Sequence, residues 1–297
     1  MTDVKKAAFV ALAGRPSVGK STLVNLLCGQ KIAIVSAVPQ TTRNAIRGIL
    51  TREQGQLVFV DTPGRHASEK KLNKKLIDVS DRALEDSELV LYVLDASRRT
   101  GPEEEAVAAR LKPFQDRMAA AINKTDLPGA DSEEMRAFLK SALPGLDESR
   151  CFPVSCRNKE GLQPLLDCLF MMAGEGAAPY PDEYYTDQEI SFRISEIIRE
   201  KAINRLREEL PHSIYVEIAD MELRENRLWV RAFIITERES QKGMVVGKGG
   251  EMIKAIGQAA RKELNTIFEW KIDLDLRVKT GRDWRHNDRI INRITGR

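Results

Sequence analysis

The run Gly14-Arg15-Pro16-Ser17-Val18-Gly19-Lys20-Ser21 has the spacing GxxxxGK[ST]. It lies directly after an apolar stretch and ahead of a segment of helical period. A phosphate cradle demands that order: glycines let the backbone wrap close and present its N–H groups, and the helix that follows adds the positive end of its dipole. Lys20 is predicted to place its ammonium on the β and γ phosphates of a nucleoside triphosphate. Ser21 is predicted to offer its hydroxyl to Mg²⁺, with Thr22 completing the phosphate-binding set.

Asp61-Thr62-Pro63-Gly64 closes a second apolar run, Leu57 to Val60. A carboxylate at the end of a buried strand is well placed for metal, so Asp61 is expected to hold Mg²⁺ through water. The Gly64 N–H is expected to bond the γ-phosphate, so that losing this phosphate releases the loop. Between these motifs lies Pro39-Gln40-Thr41-Thr42-Arg43, where Thr42 is chosen to reach the metal in the triphosphate state and Thr41 is the competing choice. Lys20, Thr42 and Gly64 are therefore the expected catalytic positions. Asn123-Lys124-Thr125-Asp126 ends a further apolar run and selects the base. Asp126 can accept from guanine N1–H and the 2-amino group, which adenine cannot match. Asn123 is expected to tie loops together and Lys124 to cover the face of the base. Ser155-Cys156, after the last apolar run, is expected to turn backbone N–H groups toward the guanine oxygen. A glutamine just after DxxG is the usual water-positioning device, but Arg65 stands there, which predicts slow intrinsic turnover.

Elements must deliver these loops. Residues 7 to 172 alternate apolar runs with helical-period segments, the pattern of βαβ units around a mainly parallel sheet. Strands are predicted at Ala8–Ala13, Leu57–Val60, Leu89–Asp95, Met118–Asn123 and Cys151–Ser155. Helices are predicted after Gly19 and over Lys70–Leu84, Pro102–Leu111, Ser132–Leu143 and Leu162–Met171. Gly174 to Pro181 carries the glycine and proline punctuation of a linker, so the domains are set at 1–172 and 187–280, with a linker over 173–186 and a basic tail over 281–297.

In the second domain a helix over Glu189–Glu209 is followed by strands at Ser213–Ile218 and Leu228–Thr236, a glycine-rich loop, another helix and a strand at Lys271–Val278. This gives the order α-β-β-α-α-β. Gly247-Lys248-Gly249-Gly250 is a GxxG loop of the kind that lets a nucleic-acid backbone approach closely. Lys242, Lys248 and Lys254 are the expected phosphate contacts around it. In the tail, Arg285, Arg289, Arg293 and Arg297 stand four apart, on one helical face; a solvated face is the favoured reading, and contact with RNA or an anionic membrane surface is the alternative.

Composition sets the outer bounds. The chain has 297 residues, 42% of them hydrophobic and 31% charged, enough to bury a sizeable core in two domains. Its longest apolar stretches fall far short of the roughly 20 residues a membrane helix needs. The N-terminal residues lack a signal-peptide core, which predicts a cytosolic location. Cys28, Cys151, Cys156 and Cys168 show no paired spacing, so zinc and disulfide roles are not expected. The net charge is +3, and the whole excess lies beyond residue 186, which permits a nucleic-acid partner without establishing one.

Taken in order, the motifs at 14–23, 39–43, 61–64 and 123–126 resemble the Era family of bacterial ribosome-associated GTPases. So do Val216-Glu217-Ile218, Glu237 to Lys242, Val246 to Gly250 and Asp283-Trp284-Arg285 in the C-terminal half. The resemblance implies a P-loop G domain with a mainly parallel sheet and helices on both faces, followed by an α+β type II KH domain. It implies binding of GTP and GDP with Mg²⁺, and GTP hydrolysis. It further implies that nucleotide state governs access to single-stranded RNA near the 3′ end of small-subunit ribosomal RNA during assembly of the small ribosomal subunit. A cytoplasmic location, peripheral contact with the inner face of the cell membrane and a monomeric state are the accompanying expectations. Two other readings stay open at this point: an RNA-binding assembly factor with an inactive nucleotide site, and a membrane-associated regulator. Ser17, Arg65 and Cys156 depart from the family's usual asparagine, apolar residue and alanine, and these departures bear on hydrolysis rate and on the base loop.

Overall fold

In the computed structural model, the described residues are 5–36, 38, 41–63, 71–282 and 284–295. They form two compact units, one of residues 1–33 and 42–187 and the other of 34–41 and 188–297.

The first unit runs β1 (Lys6–Ala13), α1 (Lys20–Cys28), β2 (Ile46–Arg52), β3 (Gly55–Asp61), α2 (Lys71–Asp86), β4 (Leu89–Asp95), α3 (Pro102–Leu111), β5 (Met118–Asn123), α4 (Ser132–Ala142), β6 (Cys151–Pro153), α5 (Leu162–Met172) and β7 (Gly174–Glu175). The sheet order is β2-β3-β1-β4-β5-β6, with β7 pairing antiparallel to the start of β1. Strands β3, β1, β4, β5 and β6 are parallel. Every residue of β3, β4 and β5 is buried, as expected of strands covered by helices on both faces, which read as unbroken apolar runs. One core of β1, β4 and β5 packs on α3 and α4 through Val90, Tyr92, Leu111, Met118 and Leu139.

Strand β2 is a finding rather than an expectation. It pairs antiparallel with β3 in register Ile46↔Asp61 through Arg52↔Gly55. Its Arg47 is exposed and Arg52 lies at the exposed end, so its sequence breaks the apolar run that marks its neighbours. Residues 173–187 are tied down along this unit. The Tyr180 N–H donates to Gln56 Oε1 at 2.9 Å, Thr186 Oγ1 donates to the Arg47 carbonyl at 2.8 Å, and Arg47 pairs with Asp187 at 2.7 Å.

The second unit runs α6 (Ile190–Ile203), α7 (Leu210–Ser213), β8 (Ile214–Arg224), β9 (Arg227–Thr236), α8 (Glu239–Val246), α9 (Glu251–Ile267), β10 (Lys271–Thr280) and α10 (Asp288–Ile294). Strand β9 is central, antiparallel to β8 and parallel to β10. Ile194, Ile197, Ile198, Ala260 and Leu264 of α6 and α9 cover one face of this sheet, over Val230, Ala232 and Ile234. Helix α6 is shorter than the expected 189–209: it stops at Ile203, Glu208 takes a left-handed φ of 57°, and Pro211 opens α7. Strand β8 runs six residues beyond the expected Ile218, crossing a bulge between Ile218 and Asp220 before the hairpin turn. Ile34, Val35, Ser36, Val38 and Thr41 belong to this unit. The Val35 N–H donates to Glu200 at 3.1 Å, the Ser36 hydroxyl donates to Asn204 at 2.6 Å, and Arg199 donates to the Thr41 carbonyl.

The tail is not the single basic face that the spacing of its arginines suggests. Trp284 is fully buried; it packs on Tyr215 at 4.9 Å and donates from Nε1 to the Ser213 carbonyl at 3.1 Å. Arg285 lies before α10 and pairs with Glu237 at 3.7 Å, while Asn287 caps the helix that carries exposed Arg289. Arg297 lies outside the described residues.

Candidate functional site

The carboxyl ends of β1, β3, β5 and β6 lead into the segments that begin at Gly14, Asp61, Asn123 and Ser155, on the side of a parallel sheet where ligands gather. After β1 the chain turns through Gly14 at φ 143°, Ser17 at 64° and Gly19 at 105° before α1 begins at Lys20. Glycine is sterically required at positions 14 and 19. A Cβ on Gly14 would stand 2.3 Å from the Val93 carbonyl, and one on Gly19 would stand 2.4 Å from Asn123 Nδ2. Val18 is fully buried beneath the loop, and Pro16 and Thr22 are half-buried along it.

Lys20 is buried and donates from Nζ to the Gly14 carbonyl at 2.9 Å and the Arg15 carbonyl at 3.0 Å. Burial pulls its pKa below the usual lysine value, while Asp61 and Glu104 oppose that shift. Arg15, at the second position of the loop, turns inward: its Nε sits 2.5 Å from Glu104 Oε2, and Tyr92 Oη donates to Glu104 Oε1 at 2.5 Å. Neither Glu104 nor Tyr92 belongs to a motif.

Three oxygens converge beside the loop. Ser21 Oγ donates to Asp61 Oδ2 at 2.6 Å, and Thr42 Oγ1 lies 3.2 Å from Ser21 Oγ and 3.5 Å from Asp61 Oδ2. Asp61 is fully buried, and its second oxygen, Oδ1, has no hydrogen-bond partner. Burial raises the Asp61 pKa, against the pull of Lys20, Ser21 and Thr42. Two hydroxyls and one carboxylate, with one of its oxygens buried and unpartnered, are the hard donors that Mg²⁺ takes alongside phosphates and water. The residues fit the ion. Of the two threonines weighed from sequence, Thr42 is the one whose hydroxyl reaches this cluster. Thr62 Oγ1 is committed to the Leu12 carbonyl at 2.9 Å, and the Pro63 carbonyl accepts from Ser80 Oγ at 2.8 Å. Gly64, Arg65, Pro39 and Gln40 lie outside the described residues.

The base loop is tied to the phosphate loop at two points. Asn123 Nδ2 donates to the Val18 carbonyl at 2.8 Å, and Lys124 Nζ donates to the Ser17 carbonyl at 2.8 Å. Asp126 Oδ1 accepts from Ser155 Oγ at 2.6 Å. The backbone donors after β6 are already engaged: the Ser155 N–H donates to the Glu160 carbonyl at 3.1 Å and the Cys156 N–H to Asn123 Oδ1 at 3.2 Å. Ser155 thus contributes its hydroxyl, holding Asp126, where sequence had suggested a backbone contact to the base. Burial raises the Cys156 thiol to about 11, so it stays protonated.

In the second unit, Gly247, Lys248, Gly249 and Gly250 join α8 to α9. Gly247 has φ 75°, and a Cβ there would stand 2.7 Å from that of Met252. Gly249 and Gly250 are also left-handed, at 60° and 82°, with open space where a side chain would project. Lys248, Gly249 and Lys254 are exposed at the start of α9, whose N-terminal dipole favours an anion. Lys242 donates to Glu239 at 2.9 Å, so its charge is partly offset. Met244, 58% exposed on α8 just before the loop, is an apolar neighbour that sequence reasoning missed; only its helical register relative to buried Val245 could have signalled it.

Residues 9–124 match the family described as 50S ribosome-binding GTPase, and residues 209–285 match the KH domain. GTPase Era of Treponema denticola is 46% identical, over 97% of this chain and 99% of its own length. GTPase Era of Borreliella burgdorferi is 45% identical with the same coverage. Among solved structures, a variant of Aquifex aeolicus Era bound to GDP and AlF4⁻ superposes with a TM-score of 0.92 at 31% identity, covering 98% of this chain and 99% of that one. The same values hold for Era in complex with MgGDPNP and nucleotides 1506–1542 of 16S ribosomal RNA.

Proposed function

The chain belongs to the Era family of GTPases, and from that premise we propose how its residues divide the work of holding GTP, cleaving it and meeting ribosomal RNA. It is a P-loop GTP hydrolase that uses GTP, GDP and Mg²⁺. The backbone from Gly14 to Thr22 wraps the phosphates, and Lys20 leaves its loop carbonyls to neutralise charge on the β and γ groups. Ser21 and Thr42 supply hydroxyls, and Asp61 its carboxylate, to the metal. When bound there, Mg²⁺ would supply positive charge against the negative charge that grows as the terminal phosphate leaves. Asp126, fixed by Ser155, reads the guanine edge, while Asn123 and Lys124 brace the base loop. The Gly64 N–H is assigned to the γ-phosphate. The observation that carries this reading is the convergence of the Ser21 and Thr42 hydroxyls on Asp61 Oδ2, beside a buried Asp61 Oδ1 that has no hydrogen-bond partner.

The second unit is the RNA-binding half. The Era whose structure holds a 16S ribosomal RNA segment matches this chain over both units, which supports binding of small-subunit RNA at Gly247 to Gly250, with Lys248 and Lys254 on the phosphates. Binding of this RNA is coupled to nucleotide state during assembly of the small subunit, and the protein acts as a monomer. We place it in the cytoplasm with any membrane contact peripheral; among the described residues no helix is long and apolar enough to cross a membrane.

Phosphate release from GTP, measured alone and with RNA of the small-subunit 3′ end, tests the coupling. Slow turnover that changes when RNA is added is expected. RNA binding without cleavage in either condition would favour an assembly factor with an inactive nucleotide site.

A second outcome follows from Asp61. Its folded-state pKa is raised above the ordinary 3.8, chiefly by burial, so its contribution to stability is present at low pH and is lost as pH rises through the folded value. Asp61→Asn removes that charge. The metal-free variant should therefore unfold at a temperature equal to or above that of wild type at neutral pH, and its nucleotide affinity should lose most of its Mg²⁺ dependence. Thermal unfolding with and without Mg²⁺ and GDP reads both. A variant that is less stable without metal, yet responds to Mg²⁺ as wild type does, would remove Asp61 from the metal site.

A further inference from the structure

A carboxylate outside every motif stands behind the base loop. Asp95 closes β4 directly across from Asn123 at the end of β5, so the two strands deliver their last residues side by side. It is fully buried, and its Oδ2 accepts from Lys124 Nζ at 2.6 Å. Its Oδ1 accepts from the Ser97 N–H at 3.0 Å and from the Ser97 hydroxyl at 2.6 Å, which fixes the carboxylate plane. Lys124 in turn spans to the Ser17 carbonyl of the phosphate loop at 2.8 Å. Both ends of that strut sit in left-handed backbone, Ser17 at φ 64° and Lys124 at φ 67°, a conformation that side chains other than glycine adopt only when surrounding contacts enforce it.

We infer that Asp95 is a positioning residue for guanine nucleotides: it anchors the Lys124 ammonium so that the lysine stem lies fixed along the base site and ties the base loop to the phosphate loop. The inference rests on the reading of Lys124 as the residue that covers the base. The Lys124 side chain is 26% exposed. Without a buried counter-charge its ammonium gains more from water than from one backbone carbonyl, and the stem would leave with it. Burial by itself would push Asp95 above the usual carboxylate range, but the Lys124 and Ser97 hydrogen bonds outweigh it and hold it below, so the partner is charged at any pH near neutral. Arg98 approaches the same oxygen from a more exposed position, at 3.5 Å. It is too distant for a direct hydrogen bond of ordinary length and cannot replace the lysine contact.

The effect belongs to the base, which GTP and GDP share. It should therefore appear in affinity and KM and not in the bond-breaking step.

The test is a double-mutant cycle on the full chain, with Asp95→Asn, Lys124→Met and both together, using fluorescent GDP and GTP analogues for affinity and phosphate release for kcat and KM. Asp95→Asn is expected to weaken both nucleotides about tenfold by equal factors and to raise KM, with kcat at saturating GTP within about twofold of wild type. The double variant should bind no more weakly than Lys124→Met alone. If Lys124→Met keeps wild-type affinity, the base reading of that lysine fails, and the role of Asp95 fails with it. If Lys124→Met is weakened while Asp95→Asn is not, or if the two losses simply multiply, Asp95 is structural only and the inference falls while the reading of Lys124 stands. Should Asp95→Asn not fold, Asp95→Glu, which moves the charge by one methylene, enters the same cycle. In either variant, absence of coupling to Lys124 overturns the proposal.

Discussion

Asp126→Asn is expected to lower GTP and GDP affinity by about a thousandfold or more and to raise affinity for the 2-oxo analogue, xanthosine triphosphate. Asp126 can accept two hydrogen bonds, one from N1–H and one from the 2-amino group of guanine. Asparagine keeps one acceptor and replaces the other with an NH₂ donor. Against guanine that donor meets a donor, so two polar groups are buried unsatisfied; sites built to bond a particular polar group reject its mismatched analogue by roughly 10⁴ to 10⁵. Against a 2-oxo base the new NH₂ finds an acceptor and the pairing is restored. Ser155 sharpens the expectation. Its hydroxyl bonds Asp126 Oδ1 at 2.6 Å and can donate equally to the amide oxygen of asparagine, so the loop keeps its shape and the change is confined to recognition. The measurement is competition between GTP and xanthosine triphosphate for the purified variant, with hydrolysis of each as a second readout. Loss of both affinities together would mean that the loop collapsed; unchanged GTP affinity would remove Asp126 from the base.

How much of this was legible in sequence depends on whether a residue acts through its own spacing or through distant contacts. The loops after β3 and β5 were readable because each ends a fully buried parallel strand, and such strands leave unbroken apolar runs such as Leu57 to Val60 and Met118 to Ile122. Strand β2 was not, since it is antiparallel at the edge of the sheet and carries arginines. Glu104 stands in the acidic first turn of α3, Glu103 to Glu105. Its place beneath Arg15 arises from the packing of α3 on β4, which local pattern does not record. Asp95 was visible as the end of a strand, but its task depends on Lys124, 29 residues on. Register across β4 and β5 brings them together. The tail misled for the opposite reason: a four-residue arginine spacing suggested a continuous helix, whereas Trp284 is drawn into the apolar core of the second unit and Arg285 turns to Glu237.

Replacing Lys248 and Gly249 together by aspartate should abolish most RNA binding, by about a hundredfold at physiological salt, while leaving nucleotide affinity within about twofold of wild type. Two effects add. The loop loses one cation and gains two anions beside the N-terminus of α9, where a backbone phosphate is expected, and each phosphate contact contributes a salt-dependent share of the affinity. Side chains also now project from a surface whose bare backbone let the nucleic acid approach. Fold is not the casualty: a Cβ at Gly249 meets nothing within 4 Å, Lys248 is exposed, and aspartate is among the residues that tolerate the left-handed φ of 60° found there. Gly247 is the position to leave alone, because a side chain there would press on Met252 and shift α9 itself. Binding of small-subunit 3′-end RNA across a salt series separates the two effects. The variant should show a shallower salt slope as well as a weaker intercept, since fewer counterions are released. A weaker intercept with an unchanged slope would assign the loop to base contact alone, and unchanged binding at every salt concentration would move the RNA site away from α8 and α9.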